Sequence, residues 1–334
     1  MYTDDDLNRA IERNIFSPES VAQFRRLVAT QQHTHLVDEE NFRLVSSFND
    51  IFVVIATALL LGALGLLDGE SGGLLIAVTS WGLAEFFTRK RRMALPSIVL
   101  LFSFVCGIAS SLGQAFDTSF DVQNGQNALL LMLIALLTSA ATALHWWRFR
   151  VPITVAVGTA TLALTVGCAA LAVMGGDDAL FLPTCLVLGV AVFALAMYWD
   201  MRDPQRQTNH SDVAFWLHLL AAPMMVHPVF AFVGLDRSSM HAGSALLIVG
   251  VYVVLAVISL LIDRRALMVS ALIYVMYAIY ILIGAVGSVG LNVGLTAMII
   301  GSMLLMLSAF WHTCRTPLVK HLPLSLQQRL PVLH

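Results

Sequence analysis

Ten apolar stretches of 16 to 23 residues, separated by short polar segments, constrain this chain more than any other feature. A bilayer core of ~30 Å needs about 20 helical residues to cross it. Inside hydrocarbon each backbone N–H and C=O has to be paired, and for a single apolar stretch only a helix achieves that within the segment. The stretches are Asn49–Leu67, Gly73–Thr88, Leu95–Leu112, Asn127–Trp146, Pro152–Met174, Ala179–Tyr198, Val213–Val233, Ser244–Ile262, Ala266–Gly284 and Leu291–Phe310. Only 12% of residues are charged, half the share usual in soluble domains. The expected fold is therefore an all-α, polytopic transmembrane bundle of ten spans. It divides into a leader (residues 1–48), the bundle (49–311) and a tail (312–334).

Basic residues orient the spans, because cytoplasmic loops retain Lys and Arg. Eighteen of the 19 fall on one side: in the leader, after every even-numbered span, and in the tail. Arg237 is the exception, and the opposite loops hold Asp68, Glu70, Asp117, Asp121, Asp177, Asp178 and Asp236. Both termini are expected in the cytoplasm and the protein in the inner (plasma) membrane. The N-terminus opens with Asp4, Asp5 and Asp6 and not with a basic n-region, so the first span is expected to stay as an uncleaved anchor. Trp146, Trp147, Trp199 and Trp311 stand at the cytoplasmic ends of spans, where amphipathic rings suit the headgroup level. Even-numbered spans end in similar clusters, FFTRKRR, HWWRFR, YWDMR, LIDRR and FWHTCR. Duplication of a helical hairpin would produce this, but so would any series of hairpins under the positive-inside rule, which is the simpler reading.

The leader carries nine acids against five bases through Asp50, which argues against DNA as a partner. Thr3 and Asp6 fit a capping box, and Ser17–Pro18 a cap followed by a first-turn proline. A third amphipathic stretch, with Phe42, Val45 and Phe48, leads into the first span. The segment DLNRAIERNIFSPESVAQF resembles the short N-terminal leader of a group of bacterial polytopic membrane proteins of unknown function. That resemblance spans about 20 residues and implies no activity.

Chemistry-bearing residues inside the spans are few. The seventh contains His218, Pro223, His227 and Pro228, and an intramembrane ionisable residue points to function by default. Pro223 cannot donate to Leu219 and predicts a kink, so freed carbonyls and imidazoles could line a substrate or proton path. Nine residues apart, the two histidines fall on opposite faces of a straight helix, at depths ~13 Å apart. Each could equally hydrogen-bond a neighbouring helix and lock packing. Glu85 precedes Arg89 by four residues, which favours an interfacial ion pair over a proton-carrying carboxylate. Tyr274, Tyr277 and Tyr280 need hydroxyl partners, from substrate or from another helix. His145 and His312 adjoin tryptophans and are expected at the interface. Gly287, Gly290, Gly294 and Gly301 form a close-packing edge, within the chain or between copies.

Cys106, Cys168, Cys185 and Cys314 have no metal-ligand spacing and read as small hydrophobes. No P-loop, dinucleotide fingerprint, H-E-x-x-H or G-x-S-x-G is found. Neither a cofactor nor a metal is expected. Expected partners are the lipid bilayer and no nucleic acid, with a homo-oligomer and a cytoplasmic protein docked on residues 1–48 left open. Two function classes remain: a small-molecule or ion transporter acting through span seven, and a non-catalytic scaffold or sensor. An intramembrane enzyme ranks behind both.

Overall fold

A computed structural model describes residues 4–32, 48–67, 72–116, 125–173, 180–204, 206, 208–232, 242–285, 292–323, 327, 330 and 331. Outside these lie Arg237, all the acidic residues of the loops opposite the arginines, Gly287, Gly290, and Phe42 and Val45 of the leader.

The described residues form helices and no strands. The described part of the leader contains two helices, α1 (Asp4–Glu12) and α2 (Pro18–Gln32). The Ser17 hydroxyl accepts from the Ser20 N–H at 3.1 Å, so the cap expected from Ser17–Pro18 is formed. Then follow α3 (Phe48–Leu67), α4 (Gly72–Ala84), α5 (Ala94–Ala115), α6 (Gly125–Phe149), α7 (Ile153–Val173), α8 (Phe181–Asp200), α9 (Asn209–Phe232), α10 (Ala242–Ile262), α11 (Ala266–Ala285), α12 (Asn292–Ala309) and α13 (Trp311–Lys320).

Eight of these are long and apolar enough to cross a membrane. A ninth span results if α12 and α13, bent by 67° at Phe310, count as one. The ten expected spans differ at Gly73–Thr88, where α4 has only 13 residues and continues as a π-helical turn, Glu85–Lys90. The fold is compatible with a multi-pass integral membrane protein. Leu59, Val190, Ile273 and Leu305 are among many large apolar side chains exposed on its outer faces, where lipid rather than water would solvate them.

Successive helices pair as antiparallel hairpins, α4–α5, α6–α7, α8–α9 and α10–α11, all turning at the arginine-rich end. Among the described residues each turn contains one non-glycine residue in the left-handed region: Arg92 (φ 53°), Arg150 (φ 56°), Arg206 (φ 52°) and Asp263 (φ 57°). These positions recur at intervals of 58, 56 and 57 residues. The regularity exceeds what positive-inside topology demands and favours the hairpin-repeat reading over the simpler one.

Helix contacts inside lipid depend on close packing, since lipid tails are as apolar as leucine. At the α4–α5 crossing a Cβ on Gly107 would stand 2.6 Å from the Gly73 carbonyl oxygen and 2.8 Å from the Ala77 nitrogen. At α8–α9 a Cβ on Gly189 would stand 2.9 Å from the Met224 carbonyl carbon. Of the close-packing edge expected on the last span, the described members Gly294 and Gly301 face open space. The most enclosed helix is α9, with half of its apolar window buried against 17% for α8. Its Ala222, Val226 and Phe230 pack with Ile248 of α10 and Ala271 and Ala278 of α11.

Candidate functional site

Two charged clusters are buried at the arginine-rich end, and α9 enters the first. Asp200, the last residue of α8, receives the Arg264 guanidinium, with Nη2 donating to Oδ1 at 2.6 Å and Nε to Oδ2 at 3.3 Å. His218 lies one and a half turns into α9's apolar run, only 2% exposed, and its Nε2 is 2.8 Å from Asp200 Oδ2. A carboxylate facing a guanidinium is an acceptor, so Nε2 carries the proton and donates. Nδ1 is buried without a hydrogen-bond partner, as suits the lone pair of a neutral ring. Arg264 Nη2 also donates to the Ser211 carbonyl at 3.2 Å, so one guanidinium ties the α10–α11 turn to the end of α8 and the start of α9.

The second cluster is centred on Asp263, the neighbour of Arg264. Arg206 Nη1 donates to Asp263 Oδ2 at 3.0 Å and Nη2 to the Asp263 carbonyl at 2.9 Å. Trp311 Nε1 donates to Oδ1 at 2.7 Å, and Arg315 Nε stands 3.7 Å from the same oxygen. Burial works to raise the pKa of this carboxyl. The Arg206 and Arg315 guanidiniums and the Trp311 N–H outweigh it and hold the group below the usual carboxylate range. Arg315 Nη2 donates to the Pro331 carbonyl at 2.7 Å, which folds part of the tail onto α13. In the α8–α9 connection, Asp203 Oδ2 accepts from the Thr208 N–H and hydroxyl at 2.8 and 2.7 Å.

Several expectations change here. Trp311 is not an interface anchor but 2% exposed, because its indole N–H has a buried carboxylate to bond. His145 is not interface-lying either: it is 1% exposed, enclosed by Trp81, Phe104 and Phe149. Arg206, Arg264 and Arg315, which in the sequence serve only to orient the spans, are each buried within the protein.

The remaining candidates are dispersed. His227 lies on the exposed side of α9, with Nδ1 2.7 Å from the Tyr274 hydroxyl. The two histidines do not meet, as their spacing predicts. Pro223 is exposed, and α9 runs through both prolines without interruption. The carbonyl deprived by Pro228 is that of Met224, and the Cys185 thiol of α8 donates to it at 3.6 Å. That gives one cysteine a polar role where a plain hydrophobe was expected. Tyr277 is half-buried on α11 and does not bond either histidine. Glu85 is paired with Arg89 as expected, at 3.3 Å, but more closely with Arg148 of α6, whose Nε and Nη2 approach at 2.7 and 2.8 Å.

Sequence reasoning thus found His218 and missed Asp200, Arg206, Asp263, Arg264 and Arg315. A signal was present: YWDMR and LIDRR place an acid immediately before or within the basic cluster, unlike HWWRFR. Among the described residues no three His, Cys, Asp or Glu side chains gather as metal ligands. Comparison with protein families, curated proteins and solved structures returns no match. The arrangement holds charge out of water and fastens three helix ends together.

Proposed function

We infer that this chain is a ten-span inner-membrane transporter of a small molecule or ion, with proton transfer along α9 and both termini in the cytoplasm. Support for ten spans comes from the eight long helices, from α4 with its π-helical extension, and from the bent α12–α13 pair. The observation that carries the transport reading is α9 itself. One histidine sits in a buried ion network, and a second, ~13 Å deeper by helix rise, is hydrogen-bonded to Tyr274. Buried ion pairs add little net stability compared with apolar packing, so a costly network around a titratable ring suits a two-state element.

Proteoliposomes holding an internal pH dye test this under an imposed membrane potential. Wild type should admit protons faster than protein-free vesicles, and His218→Gln and His227→Phe should each reduce the excess at least tenfold while still inserting. Equal flux in wild-type and protein-free vesicles would overturn the reading.

A scaffold or sensor reading is favoured by the leader, where Ile15 and Phe16 are 64% and 50% exposed between α1 and α2. Such a pair of apolar side chains fits docking of a cytoplasmic protein. Removal of residues 1–37 should then abolish the cellular phenotype with the bundle still inserted, while proton flux stays at the protein-free level.

A further inference from the structure

α9 is the most enclosed of the long apolar helices, yet one line along it stays uncovered. Leu219, Pro223 and His227 follow one another at four-residue intervals and are each exposed, while the residues on either side of them are buried or half-buried. Leucine and proline on such a line are ordinary lipid-facing residues. An imidazole is not, because hydrocarbon offers a polar group no hydrogen bond.

Half of that need is met within the chain. The Tyr274 hydroxyl of α11 stands 2.7 Å from His227 Nδ1, and Phe230 stacks on the tyrosine ring with centroids 4.6 Å apart. A phenol is the better donor and an imidazole lone pair the better acceptor. The hydroxyl therefore donates, and the proton of the neutral ring lies on Nε2. Nε2 is then an N–H donor with no hydrogen-bond partner among the described residues.

Depth decides what can meet it. His227 comes nine residues after His218 and five before Phe232, the end of α9. Helix rise puts it ~13 Å from the level of the Asp200 cluster and ~8 Å inside the far end. Phospholipid headgroups and ester carbonyls stay at the interface, outside that depth. A second copy of the chain would approach most closely along small residues, and this line has none. What remains is an uncharged acceptor dissolved in the hydrocarbon itself.

We propose that His227, oriented by Tyr274, is a binding site for a lipid-dissolved quinone, with Nε2 donating to one ring carbonyl. A quinone only accepts hydrogen bonds, carries no charge and partitions into the bilayer core. Pro223 and Leu219 offer apolar surface to its hydrocarbon tail. The site shares His227 with the transport reading but does not rest on it, since binding needs no proton flux.

Calorimetric titration of the full chain in maltoside micelles tests this, with decylubiquinone in one arm and decylbenzene in the other. Wild type should bind the quinone saturably and not the decylbenzene, which has no carbonyl. His227→Phe keeps a ring but removes the donor, and should weaken binding about tenfold. Tyr274→Phe leaves the imidazole unoriented and should weaken it about threefold. His227→Gln restores an N–H donor and should recover part of the loss, which a merely misfolded variant would not. Saturable quinone binding without proton flux would support this site and overturn the transport reading. Equal binding by wild type and His227→Phe, or no saturation in wild type, overturns the proposal. So does a His227-dependent dimer that takes up no quinone, which would give this face to a second copy.

Discussion

The hairpin pair α8–α11 and the hairpin pair α4–α7 share a turn conformation and a spacing, but the ion pairs that join them are buried in the first and half-exposed in the second. Between α8 and α11 the turns bring Asp200, Arg206, Asp263 and Arg264 out of water and satisfy them with one another. Between the α4–α5 and α6–α7 hairpins the contact is made by the half-exposed Glu85–Arg148 pair and by Trp81 and Phe104 packing on His145, and the turn arginines stay exposed. A left-handed conformation costs a non-glycine residue about 1–2 kcal/mol, so at each turn the side chain is kept where glycine would relieve the backbone. Sign is what separates the two uses. With Asp at 263 the turns lock onto Arg206, and with Arg at both 92 and 150 the turn side chains stay exposed.

The largest break in this comparison should come from Arg264→Leu, which strands the Asp200 carboxylate in the buried cluster. A loss of about 3–5 kcal/mol is expected, read as a lowered unfolding midpoint in detergent. Asp200→Asn combined with Arg264→Leu should recover much of it, because no uncompensated charge remains. A double variant as unstable as the single one would mean that the pair is not coupled. In the other half, Gly107→Ala should cost about 1–3 kcal/mol, since the new methyl meets the Gly73 and Ala77 backbones. A neutral result there would show that α4 and α5 can slide apart.

Acid should act on the buried pair of turns through Asp263. Asp263 has a folded-state pKa below its unfolded value near 3.9, so it is stabilising at neutral pH. That contribution is lost as pH falls below about 4 and through the folded value. Asp263→Asn should therefore be less stable than wild type at pH 7 and lose less on acidification. Parallel acid curves for the two proteins would contradict the assignment.

Smaller effects are expected at the half-exposed pairs. Glu85→Gln removes the contacts to Arg148 and Arg89 and should cost about 0.5–1 kcal/mol, diminishing in high salt. Arg150→Asp would give the open pair of turns the charge pattern of the locked pair. It should raise stability slightly, by no more than about 1 kcal/mol, read as the unfolding midpoint in detergent.

Much of the architecture was legible in local chemistry. Apolar length located α3 and α5 through α12 to within a few residues, and Ser17–Pro18 marked the start of α2. His218 was legible as well, because an imidazole in an apolar run is conspicuous wherever it points. Its partners were not. Arg264 and Arg315 look the same in sequence as Arg148 and Arg150, and topology explained them all. The acid in YWDMR and LIDRR was the one local hint that some of these cations turn inward.

The sequence by itself determined that the chain makes long apolar helices joined in hairpins, and that its cations gather at one end. Hydropathy and backbone pairing act over a single segment, so a segment's composition is enough. Only the tertiary structure decided which cations are buried and what they face. Asp200 and Arg264 are 64 residues apart, and Arg206 and Asp263 are 57 apart. An ion pair depends on distance and on the exclusion of water, and both arise only when separate hairpins pack. The same packing decided that the turns of Arg92 and Arg150 stay open.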